Sequence, residues 1–89
     1  MKLFFTDAAK ADLVRLREFI AIKNPGAARK ISKKLRAGIL RLCDHPNIGV
    51  NIPEFPGLQD LVSGDYVVRY TVLEQEIIIL RVWHGKENR

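Results

Sequence analysis

Apolar residues recur with a helical period through the first half of the chain and with a period of two through much of the second. Lys2 to Phe5 is a short β-prone opening. Thr6 then offers a hydroxyl to cap a helix, and Asp7 suits its positive first turn. From Ala8 the spacing is helical. Ala9, Leu13, Leu16, Phe19 and Ile20 fall on one side, with Lys10, Arg17 and Glu18 on the other. This run ends near Lys23. Asn24-Pro25-Gly26 supplies a cap and a proline preorganised for the first helical position. A second helix is predicted from Pro25 to about Cys43. Its stripe is Ala28, Ile31, Leu35, Ile39 and Leu42; Arg29, Lys30, Lys33, Lys34, Arg36 and Arg41 cover the rest. So short a join makes the two helices an antiparallel hairpin.

Asp44 to Gly57 reads as a loop, punctuated by Pro46, Gly49, Pro53, Pro56 and Gly57. Strands are predicted over Leu58 to Ser63, Tyr66 to Leu73 and Glu76 to Trp83, with Gly64-Asp65 turning between the first two. No repeat, low-complexity tract or linker interrupts them. Alternation places Tyr66, Val68, Tyr70 and Val72 on one face, with Ile78, Leu80 and Val82 as their counterparts on the last strand. These are expected to meet the helices. The opposite set is Val67, Arg69 and Thr71 with Ile77, Ile79, Arg81 and Trp83. The turn Leu73-Glu-Gln-Glu76 lacks the Gly or Asn of a two-residue hairpin, so a loop of three or more residues is expected. Three residues would set Arg69 opposite Arg81 and Val67 opposite Trp83. Facing arginines repel unless an acidic group visits. The expectation is an outward face of Ile77, Ile79 and Trp83 around two arginines, left uncovered for a partner.

Eighty-nine residues make one domain, residues 1–89, of ordinary globular composition: 47% hydrophobic and 28% charged. Its formal charge of +5 suits acidic partners, and equally suits solubility alone. Cys43 stands alone, so no internal disulfide forms, and it reads as a small core residue. No apolar run approaches the ~20 residues of a membrane span, and the opening is too short for a signal peptide. A cytoplasmic location without membrane contact is expected. The spacing of His and Cys gives no metal site, and no cofactor motif is readable.

The end of the chain concentrates chemistry: Arg81-Val-Trp-His-Gly-Lys-Glu-Asn-Arg89. Such side chains bind anions, stack on bases or grip a partner. Arg81 is the foremost candidate and Arg69 the second, because an arginine among strand isoleucines is costly unless paired. Plainer roles stand beside these. Trp83 packs against its sheet neighbours. His45 ends the second helix. The basic residues of that helix form a solvated face.

Four segments together resemble the ParE branch of the RelE/ParE toxins of bacterial toxin–antitoxin pairs. They are Ala9-Lys-Ala-Asp-Leu13; Asn24-Pro-Gly-Ala-Ala28; His45-Pro46 and Gly49 followed by Pro56-Gly-Leu-Gln-Asp-Leu61; and Tyr66-Val-Val-Arg-Tyr70 with Ile77-Ile-Ile-Leu-Arg-Val-Trp-His-Gly85. The resemblance implies an α+β fold, β-α-α-β-β-β, with the helical hairpin packed on a mostly antiparallel sheet. It implies a cognate, ParD-like antitoxin with an acidic tail, wrapping the toxin with a helix and an extended segment. It further implies a non-enzymatic toxin that traps DNA gyrase on cleaved DNA. Contacts to target or antitoxin then fall to Arg69, Ile77, Ile79, Arg81, Trp83, His84, Lys86 and Arg89.

The alternative is a ribosome-dependent mRNA endoribonuclease, as in the RelE branch. That chemistry needs a base, an acid and cations. His84 would serve as acid or base, with Arg69, Arg81, Lys86 and Arg89 on phosphate. Against it, Pro46 to Val68 holds no Lys or Arg, Glu87 lies in the tail, and no Tyr follows Tyr70. A degenerate toxin that only binds its antitoxin is a third reading.

Overall fold

The chain runs β1 (Lys2–Phe5), α1 (Asp7–Lys23), α2 (Pro25–Arg41), β2 (Val50–Asn51), β3 (Leu58–Ser63), β4 (Tyr66–Leu73) and β5 (Glu76–His84) in a computed structural model that describes residues 1–86. Both helix starts are capped as the sequence predicts. Thr6 Oγ1 accepts the Ala9 N–H at 3.0 Å, and Asn24 Oδ1 accepts the Ala27 N–H at 3.1 Å. The five strands form one sheet in the order β1-β5-β4-β3-β2. β1 lies parallel to β5; the other pairs are antiparallel. Only β2, a two-residue edge strand inside the expected loop, is an addition to the predicted elements.

The helices cover one face of this sheet. Ala9 and Leu16 of α1, Leu35 and Ile39 of α2, and Leu42 close on Tyr66, Val68, Tyr70, Ile77, Ile79 and Val82. The loop before β3 is pinned from below by Tyr70. Its buried hydroxyl accepts the Gly49 N–H at 2.9 Å and donates to the Pro46 carbonyl at 2.8 Å. A Cβ at Gly49 would come within 2.5 Å of that oxygen, so the loop passes only as glycine.

The β4–β5 register departs from expectation twice. The turn is a two-residue one, Leu73 pairing with Glu76, and Glu74 takes a φ of 54° where glycine is usual. Tyr70 then pairs with Ile79 but Arg69 with Arg81, so Leu80 is an extra residue in β5. This bulge reverses which side chains face inward. Ile77 and Ile79, expected on the open face, are fully buried in the core. Of the inward trio Ile78, Leu80 and Val82, only Val82 is buried. Arg69 does oppose Arg81, and Val67 opposes Trp83, through the bulge and not through a longer turn.

Candidate partner-binding site

β1 ends at Phe5, level with Ile79, while β5 continues to His84. The backbone of β5 past that point needs other partners. Thr6 supplies the first: its N–H donates to the Ile79 carbonyl at 3.0 Å and its hydroxyl to the Leu80 carbonyl at 2.8 Å. Asp12 supplies the next, its Oδ2 accepting the Val82 N–H at 2.9 Å. The same carboxylate receives Arg81 in a fork, Nε to Oδ2 at 2.7 Å and Nη2 to Oδ1 at 3.1 Å, and Arg15 at 3.3 Å. Asp12 is only 4% exposed. Burial alone would raise its pKa. The Arg81 hydrogen bonds, the Val82 N–H, the Arg81 charge and the Arg15 bond together outweigh that and hold the carboxyl below its ordinary value. Arg81 therefore has an acidic partner within its own chain and does not wait for one from outside.

Arg69 is likewise held internally. It grips Asp60, its neighbour across β3, through Nε to Oδ1 at 2.9 Å and Nη2 to Oδ2 at 3.1 Å. These hydrogen bonds outweigh partial desolvation, and with the charges of Asp60 and Glu54 they raise its pKa further above its already high value. The two facing guanidinium groups are thus drawn apart, one toward β3 and one toward α1. Arg69 also lies 5.0 Å from the ring centre of Trp83 and 5.7 Å from that of Phe55. Around it the sheet's open face is apolar. Phe55 is 52% exposed and Val62, opposite Val67, is 63% exposed. Phe4, level with Ile78 on β5, is half-exposed as well. The open face exists, with Phe4, Ile78, Phe55 and Val62 where Ile77 and Ile79 were expected.

His84 stands at the end of β5, edge-on to Tyr66 with ring centres 5.1 Å apart. Its Nδ1 accepts the Lys86 N–H at 3.1 Å. Nε2 is the ring nitrogen left outside this contact. Arg89 falls outside the described residues. On the helical face, α1, α2 and β1 leave an apolar cleft of about 450 Å³, walled by Leu13, Val14, Ile20, Ile31 and Leu40 and edged by Arg17 and Arg36. Phe19, expected in the core stripe, is 54% exposed, with the Lys23 ammonium 4.7 Å from its ring centre.

Asp12, Asp60, Phe55 and the cleft were not singled out from sequence. Two had a signal. Asp12 falls between Ala9 and Leu16 on the apolar side of α1, where a carboxylate must be paired. Asp60 follows from Arg69 once Gly64-Asp65 is the turn. Among the described residues no cluster of three His, Cys, Asp or Glu is placed to hold a metal, and no helix is long and apolar enough to cross a membrane.

The family described as the ParE toxin of the type II toxin–antitoxin system parDE matches residues 3–89. The chain belongs to the ParE toxin family. A solved structure titled the chromosomal ParDE TA system from P. aeruginosa superposes with a TM-score of 0.81 at 27% identity, covering 94% of this chain and 95% of that one. The Toxin RelE1 of Caulobacter vibrioides is 30% identical over 83 residues, which cover 91% of this ParE-family chain and 89% of that protein. The strand–hairpin–sheet order described above is that of the P. aeruginosa relative.

Proposed function

We propose that this ParE-family chain, acting as a single domain in the cytoplasm, poisons DNA gyrase and is neutralised by a ParD-like antitoxin with an acidic tail. The observation that carries the reading is the family match, which runs from residue 3 to residue 89. The ParDE title of the P. aeruginosa relative supports an antitoxin partner. So does the surface. The apolar cleft edged by Arg17 and Arg36 has the character needed for an amphipathic, acidic-sided helix. The open sheet face around Arg69 and Trp83, with the half-exposed Arg81 toward α1, offers flat apolar and cationic area for an extended segment. His84, Lys86 and Arg89, at the end of β5 and beyond, complete the contact set.

The ribonuclease reading draws on the name of the Caulobacter relative. One observation weighs against it: no Lys or Arg stands between Pro46 and Val68. The test runs two arms with the purified chain: relaxed plasmid with gyrase, and ribosomes programmed with mRNA. Loss of supercoiling with intact mRNA is expected. Cut mRNA with normal supercoiling would overturn the proposal. Inactivity in both arms, with antitoxin still bound, would leave a toxin that only binds.

A further inference from the structure

The positive charge of this chain is concentrated in one helix. Of its fifteen Lys and Arg, α2 carries six: Arg29, Lys30, Lys33, Lys34, Arg36 and Arg41. α2 holds no Asp or Glu, so the rest of the chain sets nine cations against ten acids. The whole net charge therefore resides on α2. Charge placed for solubility alone would be spread over the surface with both signs mixed.

At about 100° per residue, the six cations share an arc of roughly 160° opposite the stripe of Ala28, Leu35 and Ile39. All six are exposed, and the ion pairs among the described residues involve none of them. The contrast with Arg69 and Arg81, each forked onto its own carboxylate, is sharp. At Lys34 the cationic arc reaches a depression of about 260 Å³ between α2 and the β3–β4 turn, lined also by Ser63, His84 and one acid, Asp65.

We propose that the solvent face of α2 is a duplex-DNA contact surface, holding the phosphate backbone by charge without reading sequence. Arg29 to Arg41 spans roughly 18 Å, along which a duplex presents about ten phosphates. A protein partner would call for apolar or aromatic anchors at the centre of the patch. This arc has no aromatic ring, and of its apolar side chains, Ala37 and Leu40, the second lies with Arg36 at the rim shared with the apolar cleft. The inference does not rest on gyrase as the target, although a toxin acting on gyrase-bound DNA would use such a surface.

The test is binding of a short fluorescent duplex of arbitrary sequence to the purified chain without gyrase, between about 50 and 200 mM salt. Each phosphate contact contributes about 0.9 to the slope of log affinity against log salt. The triple variant Lys30→Gln, Lys33→Gln and Lys34→Gln should flatten that slope by about 2.7. Its melting temperature should stay within about 3 °C of wild type, because exposed substitutions cost little. Lys2→Gln, Lys10→Gln and Lys23→Gln together remove the same net charge elsewhere and should flatten the slope by less than about 1. Equal flattening by both variants, or none by the first, would overturn the assignment. So would tighter binding to poly-L-glutamate than to duplex at the same charge concentration. The gyrase arm reads separately. Gyrase inhibition by a chain that ignores DNA sinks this inference alone, and DNA binding without inhibition sinks only the gyrase reading.

Discussion

Asp12 joins three parts of the molecule with one carboxylate. It anchors α1, satisfies the Val82 N–H where β1 has run out, and neutralises Arg81. Asp12→Ala leaves the Val82 N–H without its acceptor and frees two half-exposed arginines, a loss of about 2–3 kcal/mol. A domain this small loses roughly 4–8 °C per kcal/mol. Asp12→Ala should therefore lower the melting temperature by on the order of 15 °C in a circular dichroism melt. A drop under about 3 °C would show that the network contributes little. The pH dependence has a definite sign. The carboxyl ionises more readily folded than unfolded, so its contribution is full above the ordinary value of 3.8 and fades as pH falls through the lower folded value. The stability gap between wild type and Asp12→Asn should accordingly shrink below about pH 4, measured by urea midpoints. A gap that widens there would refute the pairing. Arg81→Ala leaves that buried carboxylate with only Arg15 and the Val82 N–H. It should cost folding stability as well as any partner affinity, and a double-mutant cycle with Asp12 should return a coupling above about 1 kcal/mol. The sequence pointed to Arg81 as a residue needing a partner, and that need is real. Within the chain that partner is an acid on α1.

Local signals were legible at the level of elements. Thr6, Asn24 and Pro25 marked both helix starts because a cap is decided by the residues beside it. The stripe of α2 and the Gly64-Asp65 turn were likewise plain. The β5 register was not, because its bulge is bound up with distant hydrogen bonds. Thr6 holds the Leu80 carbonyl from 74 residues away, and Asp12 holds the Val82 N–H from 70 away. No window along the strand contains those partners. One extra residue then exchanged Ile77 and Ile79 for Ile78 and Leu80 across the sheet. The turn misled for a related reason: Glu74 occupies a left-handed conformation that glycine takes without strain. Glu74→Gly should therefore stabilise the hairpin by about 1 kcal/mol, raising the melting temperature by roughly 4–8 °C. A fall in melting temperature would mean that the Glu74 side chain makes an interaction worth more than the backbone relief.

Viewed whole, the molecule has three unlike surfaces. The sheet's outer face is apolar around a stacked arginine, the helical hairpin opens an apolar cleft, and α2 carries the entire net positive charge. Two apolar surfaces on so small a domain suit a protein that spends part of its life bound to another chain, and such binding adds stability by mass action. The third suits an anionic polymer. A gyrase poison held in check by an antitoxin has use for all three. The direct measurement of that claim is the amount of linear plasmid recovered after protein digestion when gyrase and supercoiled DNA are titrated with the purified chain. The account predicts that linear DNA accumulates with toxin and that added antitoxin abolishes it. No linear DNA at any toxin concentration, with mRNA cut on ribosomes by the same preparation, would contradict it.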